Sequence, residues 1–386
     1  MHFHQRIRIV PLLALLLLPI LVFCTEAPSQ KALSNGEFQS LSLGLSENNG
    51  FFPTDNLVSN ETSYLHVVSQ IEHMTRPGAA YIGVGPEQNF SYIAHARPAI
   101  VFIVDIRRDN LLHHLWLKEL FAASKDRKDY LSQLFARPPP PGIQLSSDAN
   151  ALKLLDVFEG LAPNQAFFEE TLEKLWQSMR SKFPGLVKDR DRITIERIAR
   201  SFHYEGLDIA YEIPGRPELN FFPSWGSLLV ETDRAGRLGH YLNSRESFLF
   251  LKKLQQDNLL IPVVGNLAGS KAVQGVAAEL KRRGLTVSIL YLSNVEFYLF
   301  RNGTLSRFIE NLSFLPIDHG SIVIRSYFNQ LTGYRESHPD SVAGHLSVSL
   351  VQRIQSFLMN ARSRPYTDYW DLVTRDYVPL SETHNP

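Results

Sequence analysis

Short, continuous apolar runs that alternate with helical patterns are the feature that most constrains the fold of this chain. Each run is bounded by turn-forming or charged residues, which is typical of strands buried on both faces of a sheet. The predicted strands are residues 80–84, 99–104, 260–265, 287–292 and 321–326. Because strands separated by helices favour parallel pairing, the sequence predicts an α/β fold with a doubly wound, mainly parallel sheet.

Residues 148–204 interrupt this alternation because their pattern is helical throughout. Apolar residues from Phe168 to Met179 recur at four- and three-residue spacing, which places them on one helical face. We interpret this segment as a helical insertion that caps the sheet. The α/β domain that contains it is predicted over residues 61–335.

Two segments of different composition flank this domain. Residues 28–60 are rich in Ser, Asn and Gly, which is typical of a linker or a poorly ordered lead-in. Residues 336–386 are predicted as a C-terminal helix, over residues 342–361, and a tail.

The amino-terminal segment, residues 1–27, has the composition of a signal peptide or a membrane anchor. Arg6 and Arg8 precede an apolar run that is shorter than the ~20 residues needed to span a bilayer. Cys24 follows the run, so lipidation competes with cleavage and with retention as an anchor. The sequence thus predicts an exported protein, periplasmic or membrane-anchored and facing outward. Membrane contact is expected through this segment if it is uncleaved or lipidated.

Charge and cysteine content exclude several classes of function. The chain has 39 Lys+Arg and 39 Asp+Glu, so its formal net charge is zero and no basic excess predicts a nucleic-acid partner. Cys24 is the only cysteine, so its loss with the amino-terminal segment excludes disulfides and thiolate metal sites from the remainder. His113 and His114 are adjacent on a predicted helix and point apart, and no metal site is predicted.

The strongest indication of function is a glycine loop followed by an acidic strand end. Glycines let the backbone approach a ligand closely, and the amides that open the next helix favour polar or anionic groups. Asp105 ends the second predicted strand, where a carboxylate can accept hydrogen bonds from both hydroxyls of a ribose. Since ligands of such sheets bind beyond the carboxyl ends of the strands, we predict a pocket for a nucleotide-like small molecule there. The loop residues assigned to it are Gly83, Gly85, Glu87, Gln88 and Asn89.

Further candidate residues follow the other predicted strands. Gly265 and Asn266 follow the third strand, and Asn294 follows the fourth. Arg107 suits a carboxylate or a phosphate, although a solvated arginine is the simpler alternative. Glu296 is the candidate general base because burial raises the pKa of a carboxyl, with helix capping as the alternative role.

Four stretches of the chain resemble an uncharacterised bacterial family with a SAM-methyltransferase-like Rossmann fold (SAM is S-adenosylmethionine). These stretches are residues 81–90, 102–110, 261–269 and 291–296, and the resemblance covers about residues 55–335. It implies a Rossmann-like sheet, SAM as the cofactor, and a SAM-dependent methyltransferase as the enzyme class.

The match to SAM methyltransferases in general can be followed residue by residue. Gly83 and Gly85 fall on the glycine-rich first motif, and Asp105 falls on the acid that holds the ribose. That motif usually carries an acid before its glycines and a third glycine after them. Here Tyr81 stands before the glycines and Glu87 after them.

Three functions are consistent with these residues. The leading hypothesis is an exported protein that binds SAM or a related adenosyl ligand between the glycine loop and Asp105. The first alternative is a non-catalytic extracytoplasmic protein that uses the same crevice for a ligand or a protein partner. The second is an NAD-type oxidoreductase, because the acidic strand end also suits the ribose of that dinucleotide.

Overall fold

A six-stranded, mostly parallel sheet forms the centre of the molecule. The computed structural model describes residues 30–146, 148–213, 222–329 and 337–380. The strands are β1 (Ala80–Gly83), β2 (Ile100–Asp105), β3 (Leu260–Val264), β4 (Val287–Ser293), β5 (Ile317–Phe328) and β6 (Ser347–Arg353).

The strand order is β3-β2-β1-β4-β5-β6. β1 pairs in parallel with β2 on one side, where Ala80 lies opposite Ile100, and with β4 on the other. Only the last pair, β5 with β6, is antiparallel. Every residue of β1, β2 and β3 is buried, as expected for strands covered on both faces. The α/β class and the mainly parallel sheet predicted from the apolar runs are confirmed.

Helices cover the sheet in two rows. The α-helices of the described residues are α1 (Asn35–Leu45), α2 (Val68–Met74), α3 (Asn89–Ala96), α4 (Arg108–Ala123), α5 (Arg127–Phe135), α6 (Ala151–Phe158), α7 (Gln165–Lys182), α8 (Arg192–Glu205), α9 (Trp225–Leu229), α10 (Arg245–Gln256), α11 (Ala272–Arg282), α12 (Val295–Arg301), α13 (Leu305–Ser313), α14 (Ile354–Ser363) and α15 (Tyr369–Thr374). One row runs α2, α3, α10, α4, and the other runs α1, α11, α13, α14, with neighbours in contact. Both rows contact the strands, so the apolar faces of the helices and the sheet share one core.

The segment predicted as a helical insertion, residues 148–204, contains α6, α7 and most of α8. Phe168 and Met179 are buried, which agrees with the packing stripe expected from their spacing. The insertion packs mainly on α4 and α5 instead of capping the sheet directly. It therefore forms an additional layer outside one row of helices.

The lead-in before β1 is a structured part of the fold, which corrects the prediction of a linker over residues 28–60. Ser34 and Glu37 form a capping box that starts α1. Phe38 is fully buried, and Ser42 Oγ donates a hydrogen bond of 2.5 Å to the carbonyl of Pro262 in β3. A polar composition concealed the one buried face of this short helix.

The predicted closing helix over residues 342–361 is also wrong in its first half. Residues 347–353 form β6, which pairs with the edge of β5, and α14 begins only at Ile354. Val348 and Leu350 alternate with Ser347 and Ser349, a two-residue period that fits a strand. These residues form a strand because β5 provides backbone hydrogen bonds to them, and the local sequence pattern does not reveal that partner strand.

The predicted signal or anchor segment, residues 1–27 with Cys24, lies outside the described residues. Within the described part of the chain, no helix combines the length and the apolar composition needed to cross a membrane.

Candidate functional site

A cavity of about 450 Å³ lies at the carboxyl ends of four adjacent parallel strands. Its walls include residues 84–86 after β1, residues 104–107 at the end of β2, residues 265–267 after β3, and residues 291 and 293–295 at the end of β4. This volume falls within the ~300–1,000 Å³ of typical small-molecule sites. The crevice predicted from the sequence is therefore present as a formed cavity.

The lead-in supplies another wall of the cavity, which the prediction of a linker had missed. Phe51 and Phe52 lie at this wall, and the Phe51 side chain is 83% exposed although it is large and apolar. Phe52 packs edge-on against Tyr298, with ring centroids 5.2 Å apart. An aromatic surface is thus presented beside polar strand ends.

Two non-glycine residues with a left-handed backbone line the cavity. Asn56 has φ of 50° and Ser293 has φ of 51°. An L-residue adopts this conformation at a cost of about 1–3 kcal/mol, and such strain is concentrated at binding sites. The conformation at Ser293 directs its hydroxyl to the carboxylate of Glu61.

Glu61 is a buried carboxylate on the cavity wall that sequence reasoning did not identify. It accepts hydrogen bonds from Tyr291 Oη at 2.8 Å, from Gln88 Nε2 at 2.9 Å and from Ser293 Oγ. All three donors are neutral, so no cation among the described residues is hydrogen-bonded to this negative charge. No local pattern separates Glu61 from an exposed acid of a polar segment, because its donors come from β4 and from the residue that precedes α3.

Asp105 ends β2 and lines the cavity as predicted, but its carboxylate is already held by Arg107. Arg107 Nε donates to Oδ1 at 3.1 Å and Nη2 to Oδ2 at 3.2 Å. Nη1 donates to the carbonyl of Thr54 at 3.0 Å and to that of Asp55. Arg107 therefore joins the strand end to the lead-in. Each carboxylate oxygen has two acceptor positions, so Oδ2 of Asp105 can still accept one further hydrogen bond.

The glycine loop owes its shape largely to Asn89. Asn89 Nδ2 donates to the carbonyls of Val84 at 2.9 Å and Pro86 at 2.7 Å, and its Oδ1 accepts from Tyr81 Oη at 2.8 Å. A Cβ at Gly83 would lie 1.9 Å from Asn89 Oδ1, which explains the glycine there. Both residues thus have structural roles beneath the cavity.

Gly85 lines the cavity, but Glu87 points away from it. Gly85 has φ of 82°, a left-handed conformation that favours glycine. Glu87 is buried and accepts a hydrogen bond of 2.6 Å from Trp225 Nε1. Burial raises the pKa of Glu87 to about 7, which the indole donor only partly opposes.

The helix that follows β3, α11, is capped at its start by a carboxylate of this chain. Glu47 Oε1 accepts from the amides of Lys271 at 2.9 Å and Ala272 at 3.0 Å. Its Oε2 accepts from the amide of Asn266 at 2.9 Å. Gly265 and Asn266 line the cavity, but the positive end of α11 is already neutralised.

Asn294 and Glu296 lie on the same turn but have different surroundings. Asn294 lines the cavity at the start of α12. Glu296 is fully buried and is not among the lining residues. It pairs with Arg325 through hydrogen bonds of 2.6 and 3.1 Å. Its prediction as a general base facing the crevice is wrong, because Arg325, on β5, holds both carboxylate oxygens.

The structure thus divides the predicted site residues into two groups. Those that line the cavity are Gly85, Asp105, Arg107, Gly265, Asn266 and Asn294. Those that lie outside its walls are Gly83, Glu87, Gln88, Asn89 and Glu296. Gln88 nevertheless acts on the cavity through its hydrogen bond to Glu61.

Comparison with known proteins gives a family but no activity. A family described as a domain of unknown function (DUF7790) matches residues 56–138 and 223–377, well over half of the chain, so the chain belongs to this family. The two matched segments flank the residues that hold α6, α7 and α8. All cavity-lining residues except Phe51, Phe52 and Pro53 fall within the matched segments. A search of curated proteins gave no match.

Proposed function

For this member of a family of unknown function, we propose that the cavity binds a small molecule. The ligand class that fits its walls best is SAM or a related adenosyl compound. The observation that carries the proposal is a formed cavity with two buried carboxylates, Asp105 and Glu61, on either side of the β1 end.

The strand order supports this placement. The order 3-2-1-4-5-6 is that of Rossmann-type doubly wound sheets, with the last strand antiparallel in this chain. The order reverses between β1 and β4, and ligands of such sheets bind outside the carboxyl ends at that switch point. The cavity lies at this point, so a methyltransferase-like fold accounts for its position.

The chemistry of the two carboxylates supports an adenosyl ligand. Oδ2 of Asp105 has an acceptor position for a ribose hydroxyl. Glu61 has three neutral donors and a charge that a ligand ammonium or sulfonium would match. Exposed Phe51 offers an apolar surface for a purine ring. SAM combines a ribose, a purine and positive charge in one molecule.

A second candidate function is binding without catalysis. The lining residues of the described chain include no histidine, cysteine or lysine, and both carboxylates already accept hydrogen bonds. General acid–base catalysis requires a group within reach of the proton that it transfers. These walls favour recognition over proton transfer, which supports the binding role, without catalysis, of the first alternative.

Calorimetry of the purified protein with SAM, S-adenosylhomocysteine, adenosine and NAD tests both proposals. We expect SAM to bind and the Glu61→Gln and Asp105→Asn variants to bind it at least about tenfold more weakly, which corresponds to loss of one charge-assisted contact of about 1.4 kcal/mol or more. The sulfonium contribution appears as weaker binding of S-adenosylhomocysteine.

Glu246→Gln is the matched control, because Glu246 is an exposed carboxylate at the opposite end of the strands, paired with Arg97. It should bind SAM like the wild type. Failure of the wild type to bind any adenosyl compound would remove the proposed ligand class. Binding of NAD alone would favour an oxidoreductase. Binding that neither cavity variant weakens would place the ligand elsewhere. Methyl transfer to added acceptors separates an enzyme from the non-catalytic alternative.

A further inference from the structure

Two histidines and a glutamate meet outside the walls of the crevice cavity. His66 lies in the turn before α2, Glu231 follows α9, and His345 precedes β6. One ligand atom from each residue lies within 4.8 Å of the other two. The imidazole rings of His66 and His345 have centroids 4.6 Å apart, at an angle of 68°. Three distant segments of the chain thus bring nitrogen and oxygen donors to one point.

One imidazole nitrogen of this cluster lacks the hydrogen-bond partner that a buried ring nitrogen usually has. Nδ1 of His345 is buried and has no hydrogen-bond partner. His66 is 7% exposed, and its ring packs edge-on against that of His345. Since buried polar atoms are nearly always bonded, an unsatisfied ring nitrogen here needs a physical explanation. A coordinated cation would supply the missing partner.

We propose that His66, Glu231 and His345 form a binding site for a divalent transition-metal ion of the Zn²⁺ type. Two imidazoles and one carboxylate are a donor set that zinc uses when a fourth position remains for water or substrate. Nitrogen donors disfavour Ca²⁺ and Mg²⁺, which prefer oxygen ligands. The metal class therefore follows from the donor atoms.

The surroundings of the cluster fit a site with three protein ligands. The amide of Thr232 donates to Glu231 Oε1 at 2.9 Å, which orients the carboxylate as supporting hydrogen bonds do around metals. A small cavity of about 30 Å³ borders His66, enough for about one water molecule. Nearby Asp233 is already paired with Arg237 at 2.7 Å and caps its own turn, so it is not counted as a ligand.

A bound ion would link three segments that lie far apart in the sequence. The turn before α2 contacts β6, and the ion adds the segment after α9 to this contact. Because the unfolded chain does not bring the three ligands together, the ion binds the folded state preferentially and stabilises it. This site is independent of the proposed adenosyl ligand, since none of its residues lines the crevice cavity.

Zinc titration of the full chain after chelator treatment tests the proposal. We expect a site of one ion per chain in calorimetry and a thermal midpoint that rises with Zn²⁺ concentration. Replacement by Co²⁺ should give the visible absorption of a nitrogen- and oxygen-coordinated ion. X-ray absorption should show Zn–N distances of about 2.0–2.1 Å.

His345→Gln and Glu231→Gln should each weaken zinc binding at least tenfold and abolish the zinc-dependent rise of the thermal midpoint. His319→Gln is the matched control, because it removes an exposed histidine distant in sequence from all three ligands. His2 and His4 are present in every variant, so any ion that they bind cancels from the comparison.

The proposal is overturned if the wild type binds no zinc, or if both variants bind it as the wild type does. Thermal melting without metal shows whether each variant folds. If neither variant folds, the Co²⁺ spectrum of the wild type decides, and absence of nitrogen coordination rejects the site.

Discussion

Two buried glutamates beside neighbouring strands of the sheet have opposite surroundings. Among the described residues, Glu61, at the crevice beside β4, accepts hydrogen bonds only from neutral groups, two hydroxyls and an amide. Glu296, beside β5, is held on both oxygens by Arg325, whose Nη1 also donates to Gln352 at 2.6 Å. Glu296 is fully buried and Glu61 is 1% exposed, so burial does not distinguish them.

The difference between the two is the charge of the partner. A buried carboxylate paired with a guanidinium is electrostatically complete and has no capacity for a ligand. A carboxylate held by neutral donors keeps its net charge and can attract a cationic group from a cavity. The comparison indicates that Glu296 supports the fold and that Glu61 serves the site.

Removing the cation of the Glu296–Arg325 ion pair should have the largest effect on stability. Arg325→Met leaves Glu296 buried without its counter-ion, which we expect to lower the free energy of unfolding by about 3–5 kcal/mol. Urea denaturation measures the loss. The double variant Arg325→Met/Glu296→Leu should recover most of it, and a double variant as unstable as the single one would contradict this assignment.

Glu87 is another buried glutamate, and its hydrogen-bond partner is an indole. Burial raises its pKa to about 7 in the folded state, above the ordinary value of 4.5 in the unfolded chain. The folded state therefore retains the proton longer. The stability from this group is complete below pH 4.5 and is lost as the pH rises to about 7. Across this pH range the contribution of Glu87 to the free energy of unfolding falls by about 3 kcal/mol, since one pKa unit corresponds to about 1.4 kcal/mol.

Denaturation of wild type and Glu87→Gln across this pH range measures the effect. The wild type should lose stability relative to the variant as the pH rises. A difference that stays constant with pH would show that Glu87 titrates alike in both states.

Glu47 extends the comparison to a carboxylate whose partners are backbone amides. Glu47→Ala removes the acceptor for two amides at the start of α11 and for the amide of Asn266 in the preceding loop, so we expect a loss of about 1–2 kcal/mol, as for other helix caps. Glu37→Ala removes the capping carboxylate of α1 and is a matched control without a cavity wall nearby. If α11 also shields the cavity, only Glu47→Ala should weaken SAM binding.

Glu61→Gln should have the smallest effect on stability, less than about 1 kcal/mol. The hydroxyls of Tyr291 and Ser293 can still donate to the amide oxygen. Gln88 Oε1 has no partner among the described residues. The side-chain amide of Gln88 can therefore flip and accept a hydrogen bond from the amide nitrogen introduced at position 61. Thermal melting and SAM calorimetry on one preparation should show near-wild-type stability with weakened binding. Comparable losses in both would make Glu61 a structural residue like Glu296.

Five of the six strands and the position of the crevice could be predicted from the sequence alone. Continuous apolar runs are buried wherever they form strands, so β1 to β5 were predicted to within a few residues, apart from the longer ends of β5. Gly85 and Asp105 were found because glycine and an acid directly after strands must lie at the carboxyl edge of a parallel sheet.

The folded structure was needed to show which polar side chains face the cavity and which are hydrogen-bonded elsewhere. Glu61 is bonded across more than two hundred residues of sequence to Tyr291, and Glu47 is bonded across a similar separation to the start of α11. β6 likewise forms a strand because β5 offers it a ladder. The periodicity of apolar residues indicates which faces of helices and strands are buried. The identity of a partner depends on contacts between distant segments, and these contacts arise only when the chain folds.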